Sequence, residues 1–136
     1  MTPRFDPQSD RFISFDGAEL GLTVWTPEQS PGPAREIVLV GVHGMNDFAN
    51  AFHMAAPYWA AHGVTTYAYD QRGFGRSVGR GDWPDEELMR EDLRTAVELA
   101  RRAHPDAMLA VVGISMGGAM VMTAFASDRP PAGVDR

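Results

Sequence analysis

The sequence predicts an α/β fold in which a mostly parallel sheet follows an initial antiparallel hairpin and carries helices on both faces. A polar–apolar alternation near the N-terminus is broken by Asp16-Gly17, a typical hairpin turn. Residues 37–40 and 108–112 are continuously apolar, as expected of strands covered on both sides. Between the strands, apolar residues recur at helical spacing. Strands and helices that alternate in this way favour a parallel sheet.

The first half of the chain is predicted to hold the hairpin, one buried strand and one helix. Its elements are strands at 11–15 and 18–25, a loop at 26–35, a strand at 37–40 and a helix at 51–62. The second hairpin strand places Leu20, Leu22 and Val24 on one face. Gly63 is expected to end the helix, because glycine readily adopts the conformation that follows a helix C-terminus.

The second half repeats the strand–helix pattern. Its elements are a strand at 64–69, a loop at 71–81, a helix at 84–103, a strand at 108–112 and a helix at 116–126. One buried stripe runs along the first of these helices: Met89, Leu93, Ala96, Val97 and Ala100. Asp82 is predicted to cap this helix and Pro84 to lie in its first turn. Val134 is predicted to begin a further strand.

Composition and charge exclude several classes of function. The net charge of -6 argues against a nucleic-acid or anionic-membrane partner, because both require clustered positive charge. The sequence has no cysteine, so it has no disulfides and no thiolate metal site. Residues 107–127 lack charge, but glycines around Ser115 interrupt them, which favours a strand, a turn and a helix over a membrane span. The N-terminal residues are polar rather than a signal peptide, so we expect a cytoplasmic protein.

The strongest chemical signal is Gly113-Ile114-Ser115-Met116-Gly117, which fits the G-x-S-x-G nucleophile elbow. It lies between a predicted strand and a predicted helix, where that motif has to lie. The sharp turn holds the serine in a strained conformation and leaves room only for very small side chains two residues away on either side. Gly113 and Gly117 meet that requirement, so Ser115 is the candidate nucleophile.

A second signal, Val42-His43-Gly44-Met45, directly follows the buried strand at 37–40. Acyl transfer passes through a tetrahedral oxyanion, which is stabilised by backbone N–H groups placed in advance. We expect one donor from Met116, the residue after the nucleophile, and the other from Met45, with Gly44 letting the backbone turn. His43 is predicted to hydrogen-bond within its loop and hold that turn, not to act as the catalytic base.

Three motifs together resemble the monoacylglycerol lipase, lysophospholipase and serine aminopeptidase-like branch of the α/β-hydrolase superfamily. They are Val42-His43-Gly44-Met45, Tyr69-Asp70-Gln71-Arg72-Gly73-Phe74-Gly75-Arg76-Ser77 and Gly113-Ile114-Ser115-Met116-Gly117-Gly118. The first and third are general to the superfamily, whereas the middle one is more typical of this branch. The resemblance implies the N-terminal half of an α/β-hydrolase fold, hydrolysis of small-molecule or lipid esters, and no cofactor or metal.

Several other residues in these motifs have structural interpretations. Asp70 and Arg72 belong to a loop that is mainly structural in the family, so a turn held by an Asp–Arg pair is favoured over a catalytic acid. A set of large apolar residues near the site is a candidate acyl pocket: Met45, Phe48, Phe52, Met54 and Trp59. Those of the set that lie on the helix at 51–62 are expected to be core instead, because their spacing fits a buried face.

The rest of a catalytic triad is not found in these 136 residues. In this fold the order is serine, then Asp or Glu, then histidine. All histidines precede Ser115, and the later carboxylates, Asp128 and Asp135, lie too near the following helix end to match. The resemblance therefore implies that residues 1–136 form a partial domain, with further strands and a lid after residue 136.

Two alternatives stay open beside the ester hydrolase. One is a non-catalytic interaction module whose exposed sheet edge pairs with a C-terminal-half chain or with a second copy. The other is a peptidase or thioesterase on the same fold. An epoxide or haloalkane hydrolase is disfavoured, because the elbow carries Ser115 where those enzymes carry a carboxylate.

Overall fold

The computed structural model describes residues 2–28, 35–79, 81 and 84–136. The strands are β1 Arg4–Asp6, β2 Arg11–Ile13, β3 Glu19–Trp25, β4 Ile37–Val42, β5 Val64–Tyr69 and β6 Met108–Gly113. The α-helices are α1 Ala55–Ala61, α2 Glu86–Ala103 and α3 Met116–Phe125. β1 was not predicted; it is short and pairs with β2 in an antiparallel register.

The strands form one sheet in the order β1-β2-β3-β5-β4-β6. β2, β3 and β5 pair antiparallel in succession, and β4 is parallel to both β5 and β6. The predicted hairpin is therefore confirmed, with Gly17 in its turn at φ 83°. The alternating sheet and helices confirm the predicted α/β class. β4 lies between two parallel neighbours, so its C-terminal end is next to theirs.

Each face of the sheet buries its own cluster of apolar side chains, since successive side chains of a strand point to opposite faces. Val38, Val40 and Val42 of β4 lie in the larger cluster, together with four residues of the α2 stripe: Leu93, Ala96, Val97 and Ala100. On the other face, Phe52 and Ala56 form a smaller cluster. The ring of Phe52 lies against Gly41, where a Cβ would be only 2.8 Å from the ring carbons.

The predicted helix at 51–62 is divided into two parts. A 3₁₀ helix, Ala49–Phe52, is followed by α1, and Gly63 at φ 88° comes directly after the helical turn. The helix predicted from 84 begins later, at Glu86, because the side chain of Asp85 caps it by accepting hydrogen bonds from the N–H groups of residues 87 and 88. Asp82, the predicted cap, lies outside the described residues. Pro84 therefore precedes the helix.

The uncharged run at 107–127 folds as β6, a tight turn and α3. Within the described ranges, no helix has both the length and the apolar character needed to cross a membrane. Val134 does not begin a strand. The following residues nevertheless run beside β6, the edge strand: Asp135 and Arg136 donate backbone hydrogen bonds to the carbonyl of Leu109, and Val111 donates to that of Arg136. The edge expected to be open is thus partly covered.

A buried ion pair joins α2 to the sheet and to the loop after β5. Asp92 is 1% exposed, and both of its carboxylate oxygens accept from Arg72, at 2.7 and 3.0 Å. Ser14, after β2, also donates to it, and Arg72 extends to Asp16 in the hairpin turn. Burial raises the pKa of Asp92 even against these hydrogen bonds. The pair costs desolvation, but neither partner can be removed without leaving the other charge poorly solvated.

We therefore expect Arg72→Met to lower the free energy of unfolding by about 3 kcal/mol, the usual cost of stranding one member of a buried ion pair. Urea denaturation of the two proteins measures it. Arg102→Met is the matched control, because Arg102 pairs with Glu98 on the exposed face of α2, where both side chains are more than 60% exposed. That change should stay within about 0.5 kcal/mol. Equal losses in both variants would show that the Arg72–Asp92 pair contributes no more than an exposed ion pair.

Candidate active site

Ser115 lies in the turn between β6 and α3 with φ 54° and ψ -115°. A side chain other than glycine is strained at this positive φ, at a cost of order 1–3 kcal/mol. The residue is exposed, and its Oγ has no hydrogen-bond partner in the described structure. The predicted elbow geometry is therefore present, and the hydroxyl faces open space at the N-terminus of α3.

The two flanking glycines allow the elbow to approach its neighbours. A Cβ on Gly117 would lie 2.1 Å from the carbonyl oxygen of Val42 and 2.5 Å from that of His43. A Cβ on Gly113 would lie 2.7 Å from the backbone N of Gly118. All three distances are far below van der Waals contact, so any larger residue displaces backbone. Gly117 is what lets the start of α3 lie directly on the end of β4.

The loop after β4 reaches the elbow at Gly44. A Cβ built there would lie 3.4 Å from the Cβ of Ser115 and 4.0 Å from its Oγ. Residues 44–47 form a turn in which the N–H of Asp47 donates to the carbonyl of Gly44 at 3.3 Å. Asn46 occupies its third position at φ 60°, which asparagine tolerates better than most residues. The structure thus brings together Ser115 and the loop that the sequence singled out.

The N–H groups of Met45 and Met116 are both unbonded within the described residues. Met116 is the first residue of α3, and a helix leaves its first N–H groups without intrahelical partners. The carbonyl of Gly44 accepts from His43 Nδ1 at 2.7 Å as well as from the N–H of Asp47. Because C=O and N–H point in opposite directions across a trans peptide, the Met45 N–H is directed away from those donors. The structure thus leaves unbonded the N–H groups of both residues that the sequence singled out as oxyanion donors.

His43 is fully buried, and both of its ring nitrogens are engaged. Nδ1 donates to Gly44, and Nε2 accepts from the backbone N–H of Gln71 at 2.8 Å. Burial lowers the pKa of His43, an effect that the nearby charges of Asp70 and Asp47 only partly oppose. The ring is therefore neutral, holds the loop and has no lone pair available to take a proton from Ser115.

The other histidines are hydrogen-bonded elsewhere. His53 and His62 use Nδ1 on carbonyls of their own local turns, those of Asn50 and Tyr58. His104 lies after α2, between the hydroxyl of Tyr67 at 2.8 Å and Glu36 at 3.0 Å. None of them hydrogen-bonds to Ser115.

The loop after β5 is held by a different ion pair from the one expected. Asp70 pairs with Arg76, whose Nε and backbone N donate at 2.8 and 2.9 Å, and it also accepts from the N–H of Ala49. Burial raises the pKa of Asp70, but these hydrogen bonds outweigh it and the net pKa is lowered. Arg72 points instead to Asp92. Asp70 is thus buried and saturated, as a structural carboxylate is.

The candidate acyl-pocket residues separate into two groups. Phe52 is buried and Trp59 packs beside it, as expected for core positions. Met54 precedes α1 and is 77% exposed, so the expectation that it is core is wrong. Met45 and Phe48, in and after the turn at 44–47, are 54% and 38% exposed. Apolar side chains therefore lie open to solvent in the loop that contacts Ser115.

Sequence reasoning did not assign a role to Gln71. Its side-chain Nε2 donates to the carbonyl of His43 at 2.8 Å, in addition to the hydrogen bond between its N–H and the His43 ring. Gln71 is 1% exposed, and its Oε1 has no partner among the described residues. No local pattern in the sequence signals this contact, because it joins the ends of two strands that are remote in the chain.

The sheet order, the strained serine between β6 and α3 and the loop after β4 together define an α/β-hydrolase. The chain belongs to the family described as serine aminopeptidase, S33, whose model matches residues 32–135.

Two of the curated relatives that the chain matches are named as lipases. The chain is 38% identical to a monoacylglycerol lipase of Mycolicibacterium smegmatis over 111 residues, which are 81% of this chain and 38% of that protein. It is 26% identical to the monoglyceride lipase of Mus musculus over 132 residues, 95% of this chain and 42% of that protein. The chain therefore spans about two fifths of the length of the curated relatives it matches.

Solved structures show the same fold. A soluble variant of monoglyceride lipase from Saccharomyces cerevisiae, in complex with a substrate analog, superposes with a TM-score of 0.71 at 25% identity, covering 93% of this chain and 39% of that one. A thermostable carboxyl esterase from Bacillus coagulans, in complex with glycerol, gives a TM-score of 0.76 at 24% identity, covering 91% of this chain and 40% of that one.

Adjacent glycines in the elbow provide a matched test of the close approach. Gly117→Ala places a Cβ into the carbonyls of Val42 and His43 and should cost about 3 kcal/mol of unfolding free energy through overpacking. Gly118→Ala meets only the Gly113 carbonyl oxygen at 3.4 Å, an ordinary contact, and should gain up to about 1 kcal/mol from helix propensity. Thermal unfolding distinguishes the two. Tolerance of alanine at both positions would show that α3 does not lie on β4 as described.

Proposed function

We propose that this chain provides the nucleophile and the oxyanion-binding groups of a serine ester hydrolase of the monoacylglycerol lipase or lysophospholipase type. The observation that carries the proposal is the backbone of Ser115, strained at φ 54° between β6 and α3 with its Oγ free. Backbone strain costs stability, and a relaxed turn could connect β6 to α3 without it. The strained, exposed serine, close to a loop with an unbonded N–H group, is therefore better explained by a catalytic role.

The reaction follows from this geometry. The Oγ of Ser115 attacks the ester carbonyl carbon, and its proton passes to a base. The carbonyl oxygen becomes an oxyanion that accepts from the N–H groups of Met45 and Met116, at the N-terminus of a helix whose dipole favours negative charge. Collapse expels the alcohol and leaves an acyl group on Ser115, which water then removes.

An apolar acyl group is the substrate feature that the surroundings favour. Met45 and Phe48 are exposed beside the loop at 44–47, and Ile114, next to the serine, is 43% exposed. Burial of an acyl chain against such side chains contributes roughly 0.8 kcal/mol per methylene. The relatives named as monoacylglycerol and monoglyceride lipases support a lipid-like ester in the same direction.

A peptidase is the second candidate, because the matching family is described as serine aminopeptidase. The two functions share the nucleophile and the oxyanion donors and differ in the leaving group. Hydrolysis of a p-nitrophenyl ester but not of an aminoacyl p-nitroanilide supports the esterase. The reverse preference would support the peptidase.

The role of Ser115 is tested by covalent labelling. A fluorophosphonate probe should label this serine in a polypeptide that combines residues 1–136 with the C-terminal portion found in the relatives, and Ser115→Ala should abolish both labelling and ester hydrolysis. Ser127→Ala, at the far end of α3, is a suitable control because that hydroxyl only bonds Ala124 and Arg94 locally. Labelling that persists in Ser115→Ala would refute the assignment.

The 136 residues by themselves are expected to be inactive. No histidine hydrogen-bonds to Ser115 in the described structure, so its hydroxyl has no base, and oxyanion donors alone retain about 10³ to 10⁴-fold over water. The terminal residues hydrogen-bond to β6 at Leu109 and Val111 and leave the rest of this edge uncovered. An uncovered strand edge favours pairing with a C-terminal-half chain or a second copy. Turnover of p-nitrophenyl acetate measures the activity, and the mass in solution measures the association. A monomer with Ser115-dependent turnover would contradict the proposal.

A further inference from the structure

Gln71 makes two hydrogen bonds to the same residue from different atoms. Its backbone N–H donates to Nε2 of His43, and its side-chain amide donates to the carbonyl oxygen of His43, each at 2.8 Å. Both partners are almost completely buried. Gln71 therefore fixes the ring of His43 and its backbone at once, from the start of the loop after β5.

The bond to the ring decides where its proton lies. An N–H donor at Nε2 requires a lone pair there, so the neutral ring has to carry its hydrogen on Nδ1. That hydrogen is then donated to the carbonyl of Gly44 at 2.7 Å. The opposite tautomer would set an N–H against the Gln71 N–H and a lone pair against the Gly44 carbonyl, losing both hydrogen bonds.

The carbonyl of Gly44 and the N–H of Met45 belong to one planar peptide. With the carbonyl held on the His43 side, the N–H has to point the other way. The His43 carbonyl, held by the Gln71 side chain, lies in turn against Gly117, where a Cβ would be 2.5 Å away. Two features thus depend on Gln71. They are the direction of the Met45 N–H and the position of the His43 carbonyl, against which Gly117 packs.

We propose that Gln71 is a positioning residue for acyl transfer, which acts through His43 to orient the Met45 N–H towards the oxyanion. This inference rests on the proposed function of Ser115. Gln71 sets the ring tautomer with its backbone and anchors the His43 carbonyl with its side chain. It touches no substrate, so its effect is on the placement of a donor rather than on binding.

The variant that tests the side-chain bond is Gln71→Met, which keeps length and burial but removes the amide. Gln8→Met is its matched control, because Gln8 is exposed in the turn between β1 and β2. The activity is measured in the polypeptide that combines residues 1–136 with the C-terminal portion found in the relatives. There, Gln71→Met should lower kcat at least about tenfold, towards the roughly hundredfold cost of losing one oxyanion donor. KM should change much less, as expected when an interaction acts only in the transition state. A purely structural role would lower stability without this kcat–KM split.

NMR of residues 1–136 keeps the inference separate from the proposed function. The His43 ring should be protonated on Nδ1 alone in neutral buffer, and the Met45 amide resonance should shift in Gln71→Met but not in Gln8→Met. If these hold and the polypeptide that adds the C-terminal portion to residues 1–136 shows no esterase activity, the proposed function fails while the positioning geometry stands. A ring protonated on Nε2 overturns the inference even if the variant does not fold. So does an unchanged Met45 resonance or an unchanged kcat in a folded variant.

Discussion

The site depends on one steric constraint, the contact between the end of β4 and the first turn of α3. The carbonyls of Val42 and His43 face the bare Cα of Gly117, where even a methyl group would be 2.1 Å from an oxygen. Because the backbones meet without side chains between them, the loop after β4 lies within reach of Ser115. A Cβ on Gly44 would then be within about 4 Å of the Ser115 side chain, although about 70 residues separate the two in sequence.

The parallel sheet supplies the register that this contact needs. β4 lies between β5 and β6, and Val42 is opposite Gly113 in the ladder, so the turns after the two strands begin at the same level. The loop after β5 starts at that edge too, and there Asp70 and Gln71 are buried and hydrogen-bonded. Asp70 secures its own loop through Arg76, whereas Gln71 connects to the loop after β4. The loops after β4 and β5 are therefore held by polar groups that lie at the carboxyl ends of the strands.

The sequence alone predicted the α/β class, the hairpin, the elbow and the loop at His43, because these depend on local periodicity and on residues with special backbone requirements. It did not predict the partners of Arg72, whose choice of Asp92 over Asp70 is decided by how α2 packs on the hairpin. It missed Gln71 for the same reason, since glutamine has no local signature. Met54 was expected to be core from spacing, but the helix divides there and leaves it exposed. Contacts between distant segments are what local patterns leave out.

The burial of His43 separates two parts of a hydrolase site. A base needs a free nitrogen lone pair and a pKa near neutrality, whereas this histidine has both nitrogens bonded and a pKa lowered by burial. The ring has to be neutral to make both contacts, because a proton on Nε2 in addition to the one on Nδ1 would face the N–H of Gln71. In the proposed reaction, the same burial that disqualifies His43 as a base suits it to orient the N–H of Met45. In that proposed reaction, the proton of Ser115 therefore passes to a base other than His43, because the serine Oγ has no partner in the described structure.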